Sequence, residues 1–158
     1  MEEVNAEKRL KVVILGCGRV GSTMARLLTG EGHSVTVIDW NADSFRRLGD
    51  YTGGTVIGSG IDPDVLRKAG LAEADAFVAV TNGDNTNIMS AQIAKKIFNV
   101  PKVLARIYDP VRASAYKELE IDTLCTTSIG AGLMTDFVLG REPRAVLEYC
   151  EIESRMNP

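Results

Sequence analysis

The sequence predicts an α/β fold built on a doubly wound sheet of six parallel strands, and three observations predict it. Short apolar runs alternate with longer stretches of helical spacing. Six such runs fall before about residue 126. A glycine-rich turn, Gly16-Cys17-Gly18-Arg19-Val20-Gly21, follows the first run directly and opens the first helical stretch. Apolar strands joined through helices imply right-handed βαβ crossovers and a sheet covered on both faces. The expected strand order is 3-2-1-4-5-6.

Each element has its own signal. Lys11–Leu15 is a continuous apolar run, and Val20, Met24, Leu27 and Leu28 after the glycine turn stand at helix spacing. Ser34–Ile38 is β-branched and ends at Asp39. Ala42–Leu48 is a short helix candidate and Gly54–Ile57 a short strand. Asp62-Pro63 opens the next helix, since Asp caps free amides and Pro suits the first helical position. Gly70 can close it in the left-handed conformation. Ala76–Val80 reads as a buried strand, and the polar loop Thr81–Asn87 leads into a long helix carrying Ile88, Ile93, Ile97 and Phe98. Lys102–Ala105 is the fifth strand, Asp109-Pro110 repeats the Asp-Pro helix start, and Asp122–Cys125 is the sixth strand.

The remainder differs. Ile129–Leu139 sets Leu133 with Phe137 and Met134 with Val138, two i,i+4 apolar pairs on a helix. Arg144–Glu153 alternates in part and is read as one more strand. An apolar helix and a strand beyond a completed sheet either pack on another chain or form an extra layer on this one. The expected organisation is a polar extension over 1–10, a nucleotide-binding domain over 11–128, a crossover or dimerisation helix over 129–140 and a tail over 141–158.

Composition narrows the class. The chain has 158 residues, enough for one domain with a core of its own, and a formal charge of −3 with no basic stripe. No nucleic-acid partner is expected from such a balance. Cys17, Cys125 and Cys150 stand at no metal-ligand spacing, so reduced thiols of a cytoplasmic protein are expected, with no metal. The first nine residues contain no apolar segment of the signal-peptide kind, and no run approaches the ~20 residues that cross a bilayer. Any membrane role is then expected to run through a partner, without direct insertion.

The glycine motif carries the chemistry. Alone it is weak, but here it lies between a strand and a helix, and the next strand ends in an acid 18 residues beyond Gly21. That is the Rossmann-type dinucleotide-binding context. Gly16 allows the tight turn, Gly18 the approach of a pyrophosphate, and Gly21 close packing of the helix. Phosphates then meet the positive end of the helix. Asp39 would accept hydrogen bonds from an adenosine ribose and repel a 2′-phosphate, so an adenine nucleotide with a free 2′-OH is predicted, not NADP. The alternative is a turn that holds no ligand.

Other positions have two readings each. Arg19 either contacts a second phosphate or faces solvent. Thr81, Asn82 and Asp84 lie at the carboxyl edge where such sheets bind ligands, although Asp84 or Asn85 also suits a helix cap. Gly58-Ser59-Gly60 is small enough for a flat base or is simply a turn. Cys17 is either a thiol activated by the helix end or a small residue buried in the turn. His33, the only histidine, is expected on the opposite edge of the sheet and takes no catalytic role.

An oxidoreductase would need a substrate region and an acid–base group beside a nicotinamide. The chain is nearly used up by the nucleotide fold, and it has neither a Tyr-x-x-x-Lys pair nor a Gly-Lys-Ser/Thr phosphate loop. A binding module that is not an enzyme is therefore expected, the alternative being a fragment of an NAD-dependent oxidoreductase without its substrate domain.

The segments KVVILGCGRVG, VTVIDWN, GSGIDPDVLRKAGLAEADAFVAVTNGDNTNI and VLARIYDP, taken in that order, resemble the N-terminal RCK domain, the regulator of potassium conductance, and in particular its TrkA-like peripheral subunits. The likeness runs from about Lys11 to Leu139. It implies a cytoplasmic protein, peripheral to the inner face of the membrane, that binds NAD(H), ATP, ADP or AMP and sets the activity of a membrane potassium transporter or channel subunit. It also implies a homodimer or higher ring held through Ile129–Leu139. Gly16, Gly18, Arg19 and Gly21 would hold phosphates, Asp39 the ribose, and Ser59, Gly60, Ile61 and Asp62 would flank the adenine. Thr81 and Asn82 would face the ligand's far half, and Arg106 would point to the phosphates or across to a neighbouring subunit. With Cys17, Val20, Trp40 and Asp84 these complete the candidate binding set. Members of the family commonly carry a second lobe after the crossover helix, and only 140–158 remain here, as a short variant or a cut chain would leave them.

Overall fold

The computed structural model describes residues 8–119 and 121–151. In chain order the elements are β1 (Lys11–Leu15), α1 (Arg19–Gly30), β2 (Ser34–Asp39), a 3₁₀ helix (Ala42–Leu48), β3 (Gly54–Ile57), α2 (Pro63–Lys68), β4 (Ala76–Ala79) and α3 (Asp84–Lys96). They continue with β5 (Lys102–Ile107), α4 (Pro110–Ala115), β6 (Asp122–Cys125), α5 (Thr126–Val138) and α6 (Val146–Cys150). The six strands form one sheet in the order β3-β2-β1-β4-β5-β6, every neighbouring pair parallel. This is the predicted doubly wound order.

Both faces of the sheet are covered, which is why its strands read as unbroken apolar runs rather than alternating ones. Val12 and Ile14 of β1 pack in one layer with Val35 and Val37 of β2. Val13 and Leu15 face the other layer with Phe77 of β4 and Ile107 of β5. The order reverses between β1 and β4, so the carboxyl ends of these two strands open a crevice at the topological switch point.

The local signals act where the sequence places them. Asp62 caps α2 by accepting from the Asp64 amide at 2.9 Å, Pro63 is its first residue, and Gly70 beyond it has φ +83°. Asp109 accepts from the Val111 amide at 3.0 Å at the second Asp-Pro start.

Two expectations need correction. The segment expected as polar loop to residue 87 is helical from Asp84 onward, so Asp84 and Asn87 sit in the first turn of α3. The expected final strand is instead helix α6 over Val146–Cys150, and residues 152 and 153 of that expectation lie outside the described residues. The alternation there was misleading because Tyr149 turns inward to a polar partner. Asp136 of α5 is almost fully buried and takes Arg144 through two hydrogen bonds, Nε to Oδ2 and Nη2 to Oδ1, each 2.8 Å, and the Tyr149 hydroxyl at 3.0 Å. Tyr149 in turn accepts from the Arg144 amide at 2.8 Å. This cluster clasps α5 and α6 into a helical hairpin.

Candidate functional site

A cleft of about 810 Å³ lies along the carboxyl ends of the central strands. Its floor is the glycine loop between β1 and α1. Gly16 stands at φ +104°, and a β-carbon there would meet the Thr81 amide nitrogen at 3.0 Å. A β-carbon on Gly21 would sit 1.8 Å from the Gly16 carbonyl oxygen, so only glycine lets the helix start this close to the turn. Gly18 is different. A β-carbon there would meet nothing within 4 Å and would project into open space beside the loop. Its lack of a side chain serves nothing in the protein's own packing and leaves room for a ligand.

No side chain caps α1, and its first turn contains no acidic residue. Its free amides are therefore available to an anion, with the helix dipole behind them. Arg19 opens the helix and lines the cleft.

Asp39 at the end of β2 is buried and lines the cleft. Its Oδ2 accepts from the Cys17 amide and its Oδ1 from the Asn41 amide, both at 2.8 Å. The carboxylate thus moors the glycine loop. Each oxygen keeps a further lone pair for a ligand hydroxyl. Beyond Asp39, Trp40 is 79% exposed and lines the cleft together with Arg47. A shallower recess of about 490 Å³, lined by Asn41, Asp43, Ser44, Arg46 and Arg47, adjoins it on this side.

The opposite wall comes from β4, α3 and β5. Arg106 is buried, and its Nη2 donates to the carbonyls of Val80 at 2.8 Å and Thr81 at 2.9 Å. Its guanidinium lies 4.3 Å from the centre of the Tyr108 ring. Its Nε has no hydrogen-bond partner, and no carboxylate pairs with it among the described residues. A buried, uncompensated guanidinium is costly, and an anion in the cleft would supply the missing charge. The cleft is lined by Arg19, Arg47 and Arg106 against one carboxylate, Asp39, although the chain as a whole carries −3. The residues present therefore fit a phosphate-bearing nucleotide.

Several predicted residues come together in this cleft: Gly16, Gly18, Arg19, Val20, Asp39, Trp40, Ser59, Gly60, Thr81, Asn82 and Arg106 all line it. Others do not. The Cys17 side chain is fully buried in the layer behind the loop, and burial, followed by the charge of Asp39, pushes its thiol pKa up. Its amide is spent on Asp39. The buried-turn role is the one the structure supports, and the activated thiol is not. Asp84 neither lines the cleft nor caps its helix through its side chain. Its two oxygens accept from the amides of Tyr108 at 2.7 Å and Asp109 at 3.0 Å. Asp62 is spent on capping α2, and Ile61 is exposed outside the wall. Arg106, which does line the cleft, is fixed in its wall by two carbonyls and a tyrosine ring.

Sequence reasoning missed Arg47, Tyr108 and Asn87. Asn87 is fully buried and makes four bonds: it accepts from the Thr81 amide at 2.9 Å and hydroxyl at 2.7 Å, and donates to the carbonyls of Thr81 at 3.0 Å and Arg106 at 2.9 Å. A polar residue three places into a helix whose first residue is also polar was the only available signal.

Comparison with known proteins identifies the family and the fold. The TrkA-N domain family model matches residues 12–127. The Trk system potassium uptake protein TrkA of Streptomyces coelicolor is 50% identical over 137 residues, which are 85% of this chain and 61% of that protein. The protein of the same name from Vibrio alginolyticus is 47% identical over 102 residues, 64% of this chain and 22% of that protein. The chain thus spans less than two thirds of the length of these relatives. Among solved structures, the Shewanella denitrificans Kef CTD in AMP-bound form aligns with TM-score 0.70 at 22% identity, over 93% of this chain and 92% of that one. The GsuK channel bound to NAD aligns with TM-score 0.66 at 20% identity, over 81% of this chain and 23% of that one. GsuK bound to ADP aligns equally well, at 21% identity, over 81% and 34%. At these identities the structural likeness establishes the fold.

Proposed function

The chain belongs to the TrkA-N domain family, and from that premise we propose that it is a regulatory nucleotide-binding subunit of a potassium uptake system rather than an enzyme. The observation that carries the reading is the cleft that sets a glycine loop and an uncapped helix end opposite buried Arg106, whose guanidinium meets no carboxylate among the described residues. Such a site binds an anion between two fixed walls. Relatives named Trk system potassium uptake protein TrkA support the potassium-uptake role, and fold neighbours solved with AMP, ADP and NAD support adenine nucleotides with a free 2′-OH as the ligand class: NAD(H), ATP, ADP or AMP.

In this reading the amides of Gly18 and Arg19 and the Arg106 guanidinium hold phosphate, Asp39 holds the ribose, and Ser59 and Gly60 flank the base. The nucleotide-binding domain expected over 11–128 runs through β6, and the crossover helix expected over 129–140 is α5, Thr126–Val138. The apolar side chains of α5, among them Met134 and Phe137, meet a second copy of the chain in a homodimer or ring. No helix among the described residues is long and apolar enough to cross a membrane. The subunit then acts at the cytoplasmic face through a membrane potassium transporter or channel subunit. A ligand would gate that partner only as far as its affinities for two assembly states differ.

Calorimetric titration with ATP, ADP, AMP, NAD, NADH and NADPH at one salt concentration tests the reading. Binding of one or more 2′-OH nucleotides, abolished in Asp39→Ala and with the ligand recovered unchanged, is the expected result. Preference for NADPH, or no binding at all, would overturn it.

A further inference from the structure

We propose that the amino edge of the sheet, opposite the cleft, is a basic face that adsorbs to an anionic phospholipid surface without inserting into it. The six strands are parallel and so begin at one edge, and α2 and α3 return their last turns to it. Both helices pack on the same face of the sheet, through Leu66 of α2 and Ile88, Ala91 and Ala94 of α3. Their ends lie close together, with the Arg67 guanidinium 5.9 Å from the centre of the Phe98 ring. Lys68 closes α2, Lys95 and Lys96 close α3, and Lys102 opens β5 in register with Ala76 of β4. Separate segments thus bring these lysines to one edge of a chain whose formal charge is −3. The cleft opens at the other ends of the strands, so the proposal takes nothing from the nucleotide reading.

Among the described residues no carboxylate pairs with any of these lysines. Asp64 is taken by Arg67 at 2.6 Å and Asp75 by Lys8 at 3.0 Å, and neither Glu73 nor Asp122 at this edge is bonded to a lysine of the patch. A basic residue at a helix end complements the helix dipole, which accounts for Lys68, Lys95 and Lys96 one by one. It does not account for Lys102, which stands on a strand, and α1 reaches the same edge with no basic residue in its last turn. Beside the lysines, Ile97 is 60% exposed. An apolar side chain among ammonium groups suits the boundary of a bilayer, where the one meets acyl chains and the others meet headgroup phosphates. Nucleic acid is a poorer match. Lysine is a point charge on a flexible stem, whereas fixed phosphates and base edges favour the fork of arginine. The Phe98 ring packs against the core beneath Arg67, so it offers no platform for a base.

Co-sedimentation of the chain with vesicles tests the proposal, using phosphatidylcholine alone and phosphatidylcholine with about one third phosphatidylglycerol. Adsorption to the anionic vesicles only, weakening steeply as salt rises from about 0.1 M to about 0.5 M, is the expected result. One lysine at such a surface is worth about fivefold in partition, so Lys96→Gln should lose about fivefold and the double change Lys95→Gln, Lys96→Gln about twentyfold. Arg26→Gln makes the same charge change at an exposed position of α1 and should cost less than about twofold. Ile97→Ser removes no charge and should weaken adsorption at every salt concentration alike. Melting temperatures of the variants should match wild type, since no core side chain is altered. Equal losses in Lys96→Gln and Arg26→Gln would mean that net charge acts and not this face. Absence of binding to anionic vesicles, or tighter binding to duplex DNA at the same salt concentration, would also overturn the proposal.

Discussion

Between β1 and β6 the buried side chains are mostly apolar, whereas the α5–α6 hairpin buries a carboxylate beside an exposed ring: Asp136 is 1% exposed and its neighbour Phe137 is 86% exposed. In the sheet, burial follows the apolar runs, and buried Asp39, Asp84 and Asn87 are satisfied by backbone amides or carbonyls around the cleft, while buried Arg106 keeps its Nε without a hydrogen-bond partner. In the hairpin a carboxylate, a guanidinium and a phenol hold two helices together, and the apolar surface faces out. The first region closes its apolar core within this chain. The second has its polar bonds made and its apolar contacts unmade, which is the state of a surface whose partner lies on another chain.

The hardest way to break the sheet half of this contrast is at its tightest point. In Gly21→Ala the new methyl would overlap the Gly16 carbonyl oxygen, a backbone atom that cannot swing away. The expected loss is about 3 kcal/mol or more, seen as a fall in melting temperature on the order of 10 °C. Gly18→Ala is the control, because its methyl would meet nothing. Its stability should stay within about 0.5 kcal/mol of wild type, while nucleotide affinity drops because the methyl enters the phosphate space. If both variants melt alike, the two glycines do not divide packing from binding as argued.

The hairpin breaks more locally. Hydrogen bonds from Arg144, and then from Tyr149, hold the Asp136 carboxyl below its ordinary value of 3.8. A carboxyl depressed in the folded state contributes stability that is fully present above about pH 3.8 and is lost as pH falls through the lower folded value. Acidification should therefore open the α5–α6 hairpin in that window. Asp136→Asn, which cannot accept the bidentate guanidinium as a charge, should open it already at neutral pH. Hydrogen exchange followed by peptide reads the effect: residues 126–151 lose protection while β1 and β4 keep theirs. Loss of protection spread evenly over the whole chain would mean that the hairpin is part of the body after all.

These two regions also differ in how legible they were. The sheet order, the glycine loop, the acid at the end of β2 and both Asp-Pro helix starts could be read directly, because each depends on neighbours in sequence or on simple periodicity. What escaped reading depends on partners far along the chain. Asp84 looks like a loop or cap residue until the amides of Tyr108 and Asp109 arrive 24 and 25 positions later. Tyr149 looks like one step of an alternating strand until Asp136 is placed beside it. Tyr108 and Arg47 carry no motif and enter the cleft only through the strand order. Periodicity records which face a residue shares with its neighbours and is silent about which distant backbone group a polar side chain will find.

The smallest effect on the isolated chain should come from the outward face of the hairpin, and it tests the contrast most directly. Phe137 is 86% exposed, so Phe137→Ser removes almost no contact within the chain, and its melting temperature at high dilution should match wild type. If that ring is covered by a second copy, burying it is worth about 1.5–3 kcal/mol, counted on both sides of a two-fold interface. The dissociation constant of the dimer would then rise about a hundredfold to ten-thousandfold. Sedimentation equilibrium over a range of concentrations separates the cases. Wild-type chain that assembles while Phe137→Ser remains monomeric, with equal melting of both, places the missing apolar contacts between subunits. Identical masses at every concentration would leave the exposed face without a use in assembly.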